Sequence, residues 1–585
     1  MNESCNQDDV FLTSKRENVQ IFLEDGRVFE ARRGTTLEKF LQKLPEWENP
    51  QIVGAVVNGE LRELTYRVEI DSNIKPITVI DPDGALIYRR SVTFLLEAAF
   101  EDLFPNAALT VDHSVVSGGY YCQLMDRPPL SPEELFALEK RMRELVQEDH
   151  PFERKEVPLA EAILYFKSRN FYDKVRLLKY RQKSHLVLYS LCEHRDYHHG
   201  YMVPSTGYIK WFGLAAFGDG FILRFPRRQS PTELLPLPYT NKLLDTFYQY
   251  GYWLAKLGIR DVGALNTAIE ADRIREVILV SEALHEQNII DIASKIAQNS
   301  KRSRIVLIAG PSSSGKTTFS KRLTVQLLAL GISPFPLEMD NYFVDREKTP
   351  KDEKGEYDYE HLDALNRQLL GNHLSRLIAG EEVQLPRFDF KTGKSILDGG
   401  EVVKLDSDQL IILEGIQGLN PNLLPGIPPE STYRIYASCL TQLNLDRYNR
   451  ISTTDSRLIR RIVRDSRERG YTAQQTIQRW ESVRRGEKRY IFPYQDNADE
   501  MFNSALVYEL SALKRFVEPL LRQVPYHSAE YIEAKRLLAL FEWFLPLDVD
   551  LIPDNSIVRE FIGGSILKEF KLWRNTSDFF DWNML

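Results

Sequence analysis

Apolar and polar residues alternate with two different periods along this chain, and the change of period divides it. After a polar stretch over 1–17, expected to be a loose tail, VQIFLEDGRVFEA sets apolar residues at every second position on both sides of Asp25-Gly26. That is a hairpin pattern, because Asp-Gly supplies the positive φ that a two-residue turn requires. GAVVNGELREL repeats it around Asn58-Gly59, with a helical stretch over 36–44 between the two hairpins. A small β-grasp-like domain over 18–84 is expected. Over 85–235 helices and strands mix, and SPEELFALEKRMRELVQED reads as an amphipathic helix capped by Ser131, with Glu134 closing a capping box. A helical bridge is expected over 236–300. From RIVLIAG onward, short apolar runs alternate with helical patterns across 301–510, which predicts a parallel sheet flanked by helices. The last segment, 511–585, is largely helical and rich in Leu and Phe.

Composition narrows this picture without redirecting it. The chain has 585 residues, enough for about three to five domains. Its 43% hydrophobic and 27% charged residues are those of a folded multidomain α/β protein. Lys and Arg number 75 against 83 Asp and Glu, a net charge of −8. That balance argues against a surface that wraps nucleic acid, so no DNA partner is expected, although a local basic site is compatible with it. No apolar run approaches the roughly 18 residues of a membrane span, and the start MNESCNQDDV is acidic and polar. The expectation is a soluble, reduced, cytoplasmic protein without membrane contact. Cys5, Cys122, Cys192 and Cys439 are too dispersed for a disulfide scaffold or a zinc knuckle.

The chemistry concentrates in the third quarter of the chain. GPSSSGKTT at 310–318 fits GxxxxGK[ST], with the strand-like IVLIA before it and a helical face of Phe319, Leu323, Leu327 and Leu330 after it. Gly310 and Gly315 let backbone amides of the loop wrap phosphates, and the helix N-terminus adds positive potential. Lys316 is placed to bridge β- and γ-phosphates, and the Thr317 hydroxyl to ligate Mg²⁺. PLEMDNYF puts Asp340 after a second apolar run, where a carboxylate can take the proton of an attacking hydroxyl; the same residue type also caps helices. LIILEG ends a third run in Glu414, suited to ordering Mg²⁺, though strand-end carboxylates are also often simply solvated. TDSRLIRRIVRDSRERG crowds Arg457, Arg460, Arg461, Arg464 and Arg467 on one side of a helix, with Leu458 and Ile462 on the other. Such a face is either a phosphate-closing lid or a solvated cationic surface pairing Asp465 and Glu468.

Taken in order, GPSSSGKTT, MDNYF, YEHLDAL, LPRFDFKTGKS, IILEGIQGLN and DSRLIRRIVRDSRERG resemble the uridine kinase/phosphoribulokinase family of P-loop kinases. The resemblance implies ATP and Mg²⁺ as cofactors. It implies nucleotide binding by Gly310, Ser312, Ser313, Ser314, Gly315, Lys316, Thr317 and Thr318, with Arg461, Arg464 and Arg469 on phosphates. It further implies Mg²⁺ at Thr317 and Glu414, Asp340 as the base, and acceptor contacts from Tyr342, Glu360, His361, Asp363 and Phe388. Where uridine kinases place an Asp on the ribose hydroxyls this chain has Glu360. Their base-contacting Tyr matches Phe388, and their uracil-contacting His matches Gly393. Hydrogen-bond discrimination of uracil is therefore not expected.

The front half carries a second resemblance. Residues 19–83 resemble the TGS domain of threonyl-tRNA synthetases. Residues 86–228 resemble their editing domain, through RRSVTFLLEAAFEDLFP and SGGYYCQL. The two editing histidines are replaced by Arg90 and Phe94; Cys192 is present, and CEHRDYHHGYMVPST adds His194, His198 and His199. These histidines are expected to be solvated on a surface loop, with no stoichiometric zinc and no deacylation. The whole order resembles bacterial TGS-domain fusion proteins described as uridine kinase-like. The leading expectation is an ATP-dependent kinase that phosphorylates a primary hydroxyl of a nucleoside or another ribose-like molecule. The alternative is an RNA- or ribosome-associated NTPase in which the TGS-like region contacts tRNA or the ribosome, supported by basic stretches such as KVRLLKYRQK.

Overall fold

The computed structural model describes residues 16–570 apart from 116, 126, 238–240, 352–354, 356, 390, 407–408 and 442. Most of the polar tail, with Cys5, and the end of the carboxyl-terminal segment lie outside the described residues. The chain divides into two compact units. The first comprises 1–159, 185–237 and 526–532; the second comprises 160–184, 238–525 and 533–585.

The first unit opens with a five-stranded sheet in the order Val28–Arg32, Asn18–Leu23, Ser72–Thr78, Ile52–Val57, Glu60–Glu63. One face is covered by Leu37, Phe40 and Leu41 of a short helix, which pack on Val19, Ile21, Ala55 and Ile74. The two predicted hairpins close differently. Asn58 and Gly59 both adopt positive φ, with Val57 paired to Glu60, a true two-residue turn. Around Asp25-Gly26 only Gly26 has positive φ, and Leu23 and Arg27 close a three-residue loop, so that turn is one residue longer than predicted. Further along, the helix Pro82–Leu103 packs against Pro132–Glu148 beside a four-stranded and a three-stranded antiparallel sheet. Ser131 Oγ accepts from the Glu134 amide at 3.2 Å and Glu134 accepts from the Ser131 amide at 2.9 Å, completing the capping box.

The second unit contains three helices, Asn241–Leu257, Val262–Glu270 and Ile274–Asn299, followed by a parallel sheet. Its strands are β1 (Ile305–Ala309), β2 (Pro334–Glu338), β3 (Leu410–Glu414), β4 (Thr432–Ser438) and β5 (Glu500–Asn503). They lie in the order β2-β3-β1-β4-β5, all parallel. β1 is buried along its whole length, as a central strand covered on both faces must be. The chain leaves β1 toward one side of the sheet and later returns to the other, so the crevice at its carboxyl end is a topological switch point. Helix α1 (Lys316–Ala329) starts there, with Phe319, Leu323 and Leu327 buried. Leu330 lies just past its end and is exposed, so it does not belong to the predicted face.

The basic stretch KVRLLKYRQK finds acidic or aromatic partners within the second unit. Lys174 is fully buried against Asp446 at 3.0 Å; Arg176 pairs with Asp261, Lys179 with Glu270 and Lys183 with Glu542. Arg181 lies over the Trp543 ring. The partners lie 85 or more residues away in sequence, so the pairing was invisible from the local charge run. Lys174 is thereby removed from the surface, while Arg176, Lys179 and Lys183 stay exposed beside their partners. Among the described residues no helix is long and apolar enough to cross a membrane.

Candidate functional site

The loop between β1 and α1 is shaped by close backbone approach. A Cβ on Gly310 would overlap the Ala437 carbonyl of β4, and Gly315 has φ +82° as the residue capping α1. Ser313 also adopts a left-handed conformation, at φ +57°. The side-chain hydroxyls of Ser313 and Ser314 are buried with no hydrogen-bond partner among the described residues. Two carboxylates already occupy amide positions of the cradle. Glu487 accepts from the Ser312 amide at 3.2 Å, and Glu560 accepts from the Thr318 amide and hydroxyl at 3.2 and 2.7 Å. Loop amides, a helix N-terminus and orphaned hydroxyls that attract anions fit a phosphate chain.

Lys316 is half-buried, and its Nζ donates to the Pro311 carbonyl at 3.1 Å. Desolvation lowers its pKa, against the opposing charges of Glu414 and Glu560. Thr317 Oγ1 donates to Glu414 Oε1 at 2.9 Å, so the helix start and the end of β3 offer adjoining oxygen ligands. Burial raises the Glu414 pKa, while Lys316 and Thr317 hold it down. These hard oxygens suit Mg²⁺.

Asp340 sits on a short 3₁₀ turn, Met339–Tyr342, directly after β2. Its side chain is open to solvent but lies in a recess. Desolvation there, followed by the charge of Glu338, raises its pKa, and Lys316 opposes the shift. Two residues on, Tyr342 turns the other way. It is 1% exposed within the core that joins β2 and β3 to the helix Arg367–Ile378, and its hydroxyl meets His373 Nδ1 at 3.1 Å. Tyr342 is thus a core residue with a satisfied phenol, which corrects its assignment as an acceptor contact. Phe388 is buried edge-on against Phe343 at 5.5 Å, forming an apolar wall beside the Asp340 turn. Gly393 has φ +71°, and the space its side chain would take is filled by the Arg346 guanidinium, which donates to the Tyr359 hydroxyl at 3.0 Å.

The three residues Glu360, His361 and Asp363 do not act as one cluster. Asp363 pairs with Arg367 at 2.6 Å, and His361 Nδ1 accepts from the Asp363 amide at 3.1 Å. Both line a cavity of about 670 Å³ with Asn420, Tyr490 and Tyr494. Glu360 points elsewhere. Its carboxyl lies against Gly486, where any side chain would collide with it. Burial and Asp358 push its pKa up to about 7, opposed by Arg461, Arg457 and Lys316. It faces the arginine helix, so the expected set of hydroxyl acceptors reduces to Glu360.

Helix α2 (Thr453–Arg469) separates its arginines into two jobs. Arg457 and Arg460 are fully buried, paired with Glu487 and Glu509, and donate to the Ser312 and Ser313 carbonyls at 2.9 and 3.4 Å. They brace the loop backbone from behind, correcting their place on a solvated or phosphate-facing surface. Arg467 donates to the backbone carbonyls of Glu560 and Phe561. The other three share one buried carboxylate, Asp465. Arg461 lies 3.2 Å from it, Arg464 2.8 Å and Arg469 3.6 Å. Arg461 also donates to Ser312 Oγ at 2.8 Å, at the edge of the cradle. Asp465 aims Arg461, Arg464 and Arg469 together, a fixed geometry that their long side chains would not hold alone.

Sequence reading missed Glu560. The segment IVREFIGGS lies within 511–585, for which only a largely helical character is expected, yet Ile557 abuts Gly315 and Glu560 holds the start of α1. A lone Glu 242 residues beyond its partner leaves no local signal. Because its carboxylate competes with phosphate for the Thr318 amide, Glu560→Gln should tighten ATP binding roughly tenfold, about the worth of one charge-assisted hydrogen bond. Titration calorimetry on the variant checks this; unchanged or weaker binding makes Glu560 a brace only.

In the first unit, Arg90 donates to the Tyr201 carbonyl at 2.6 Å, Phe94 is fully buried and Cys192 is exposed. His194 and His198 are not solvated. They are 4% and 9% exposed and contact the buried Glu97. The polar look of CEHRDYHHG concealed a strand, His194–Asp196, that turns His194 and Asp196 inward and Arg195 outward.

Comparison with known proteins agrees with this two-part organisation. Residues 305–510 match the Phosphoribulokinase / Uridine kinase family. The chain is 37% identical over 184 residues to a threonine-tRNA ligase of Janthinobacterium sp. (strain Marseille), 31% of this chain and 28% of that protein. It is 32% identical over 259 residues to the threonine-tRNA ligase of Burkholderia multivorans, 44% of this chain and 40% of that protein. The chain spans under half the length of these curated relatives. A solved structure described as a possible uridine kinase from Bacillus stearothermophilus is 27% identical, covering 26% of this chain and 79% of that one, with a TM-score of 0.21. The amino-terminal part is therefore threonine-tRNA ligase-like and the later part carries a P-loop kinase domain.

Proposed function

We propose that the kinase domain transfers a phosphoryl group from ATP to a primary hydroxyl of a ribonucleoside or similar ribose-like molecule, in the cytoplasm. The observation that carries this reading is Asp340, a carboxyl in a recess at the carboxyl end of β2, close enough to Lys316 for the lysine's charge to oppose its raised pKa. Asp340 takes the proton of the acceptor hydroxyl, and its raised pKa makes it a stronger base than an ordinary carboxylate. Lys316, Arg461, Arg464 and Arg469 hold negative charge in place, the arginines through their common anchor on Asp465. Thr317 and Glu414 would hold Mg²⁺, which when bound supplies positive charge against the transferring group.

On the acceptor side, the Phe343–Phe388 wall offers apolar contact and no donor to read a base edge. Glu360 remains as the hydroxyl acceptor. Loss of a hydroxyl from a site built to bond it leaves a buried polar group unpaired. The expected result is therefore kcat/KM lower by roughly 10²-fold for 2′-deoxynucleosides, with uridine not preferred over other ribonucleosides. ADP release across ribonucleosides, deoxynucleosides, pantothenate and ribulose 5-phosphate measures both. A strong uridine or cytidine preference overturns the base-blind pocket. Turnover stimulated only by tRNA or ribosomes, without a phosphorylated small molecule, overturns the kinase assignment in favour of an RNA-linked NTPase.

A further inference from the structure

The threonine-tRNA ligase-like unit has lost both residues expected for its chemistry, at Arg90 and Phe94, yet it places other metal-ligating groups together a turn further along the same helix. Glu97, on Pro82–Leu103, is fully buried. Its Oε2 lies 3.2 Å from His194 Nε2 and its Oε1 lies 3.0 Å from His198 Nε2. Asp196, also fully buried, brings a carboxylate oxygen within 4.8 Å of the ligand atoms of Glu97 and His194. Its Oδ1 accepts from the Tyr197 amide at 2.6 Å, which fixes its orientation.

Two features favour a cation between these groups. The first is convergence. Ligand atoms around a tetrahedral zinc lie about 2.0–2.1 Å from the ion, so neighbouring ligands sit roughly 3.3 Å apart. Glu97, His194 and Asp196 each offer one ligand atom within 4.8 Å of the others, so small side-chain shifts bring all three onto one ion. The second is the far side of His194, whose Nδ1 lies 2.6 Å from Glu101 Oε2. A carboxylate on the outer nitrogen is the support that fixes the tautomer and aim of a metal-binding histidine.

We propose that Glu97, His194 and Asp196, with His198 beside them, form a divalent transition-metal site in the first unit, with Zn²⁺ its best-matched occupant. The Phe94 ring lies against both imidazoles, with centroids at 5.0 and 5.6 Å. Together with the burial of Glu97, His194, Asp196 and His198 this closes the site to substrates. The ion ties the helix Pro82–Leu103 to the strand His194–Asp196 and does no hydrolysis. The proposal departs from the expectation of a zinc-free domain, which rested on Arg90 and Phe94 and on histidines placed on a solvated loop.

The test uses the full chain, stripped with chelator and titrated with Zn²⁺, then with Mn²⁺ and Fe²⁺. Mass spectrometry of metal content should show one Zn²⁺ per chain, and the melting temperature of the stripped protein should rise by several degrees on reloading. Asp196→Asn, chosen because it keeps the size of the side chain and an acceptor for the Tyr197 amide, should fold and lose the bound ion and the reloading shift together. Kinase turnover should be unaffected by stripping once Mg²⁺ is restored. A wild-type protein that binds no metal overturns the proposal in favour of a buried network of histidines and carboxylates. So does zinc that remains stoichiometric in Asp196→Asn and Glu97→Gln alike.

Discussion

Lys316→Ala abolishes phosphoryl transfer, lowering kcat by about 10³-fold or more, and leaves the protein folded. The size follows from position. Lys316 is the cation of the loop that lies between the Glu414 carboxylate and the anion-attracting start of α1, and its charge acts at short range in a desolvated recess. The preserved fold follows from what else the side chain does, which is little: its one hydrogen bond is to the Pro311 carbonyl. The loop itself is braced from behind by Arg457 and Arg460, which the substitution does not touch. A melting temperature within a few degrees of wild type, with turnover at background, is the expected pair of readings. Near-normal turnover removes the loop from the mechanism; a large loss of melting temperature shows Lys316 to be a structural counter-charge for Glu414.

The parts of this architecture that could be read before folding are those written in contiguous residues. The loop GPSSSGKTT needs its glycines, its lysine and the strand and helix around it, all within some thirty positions, and the fold puts them where the spacing says. The Ser131 capping box is local in the same way. What could not be read depends on where one element faces another. Tyr342 and Asp340 are two residues apart on one 3₁₀ turn, and only the packing of that turn on the sheet sends the first to His373 and leaves the second in the cleft. The arginines of α2 looked like one cationic face. Their division was set by Glu487 and Glu509, which arrive from 30 and 49 residues away, and by Asp465 within the helix. Charged and polar residues whose partners are distant in sequence read as solvated surface, and the same error applied to the histidines of CEHRDYHHG. A buried charge is stable only with a partner, so each such residue marks a long-range contact that local pattern does not contain.

Asp340→Asn lowers kcat by roughly 10²–10⁴-fold, the usual cost of losing a general base, with nucleotide affinity nearly unchanged. Asparagine keeps the size of the side chain and can still accept a hydrogen bond, but it cannot take a proton from the acceptor hydroxyl. The effect therefore falls on chemistry, and calorimetry with ATP separates it from a binding defect. The pH profile adds a reading that a merely structural Asp340 would not move. Activity requires the carboxylate form, and burial with Glu338 raises the pKa against the pull of Lys316. In the wild type kcat/KM should therefore fall as the pH drops through that raised pKa, above the ordinary value of about 3.9 for Asp. The residual activity of Asp340→Asn should lose this acidic limb, because asparagine does not titrate. If kcat stays within a few-fold and the limb persists, another carboxylate is the base. Glu360 is then the better candidate than Glu338, since its pKa is already pushed up to about 7, which would put the limb near neutrality.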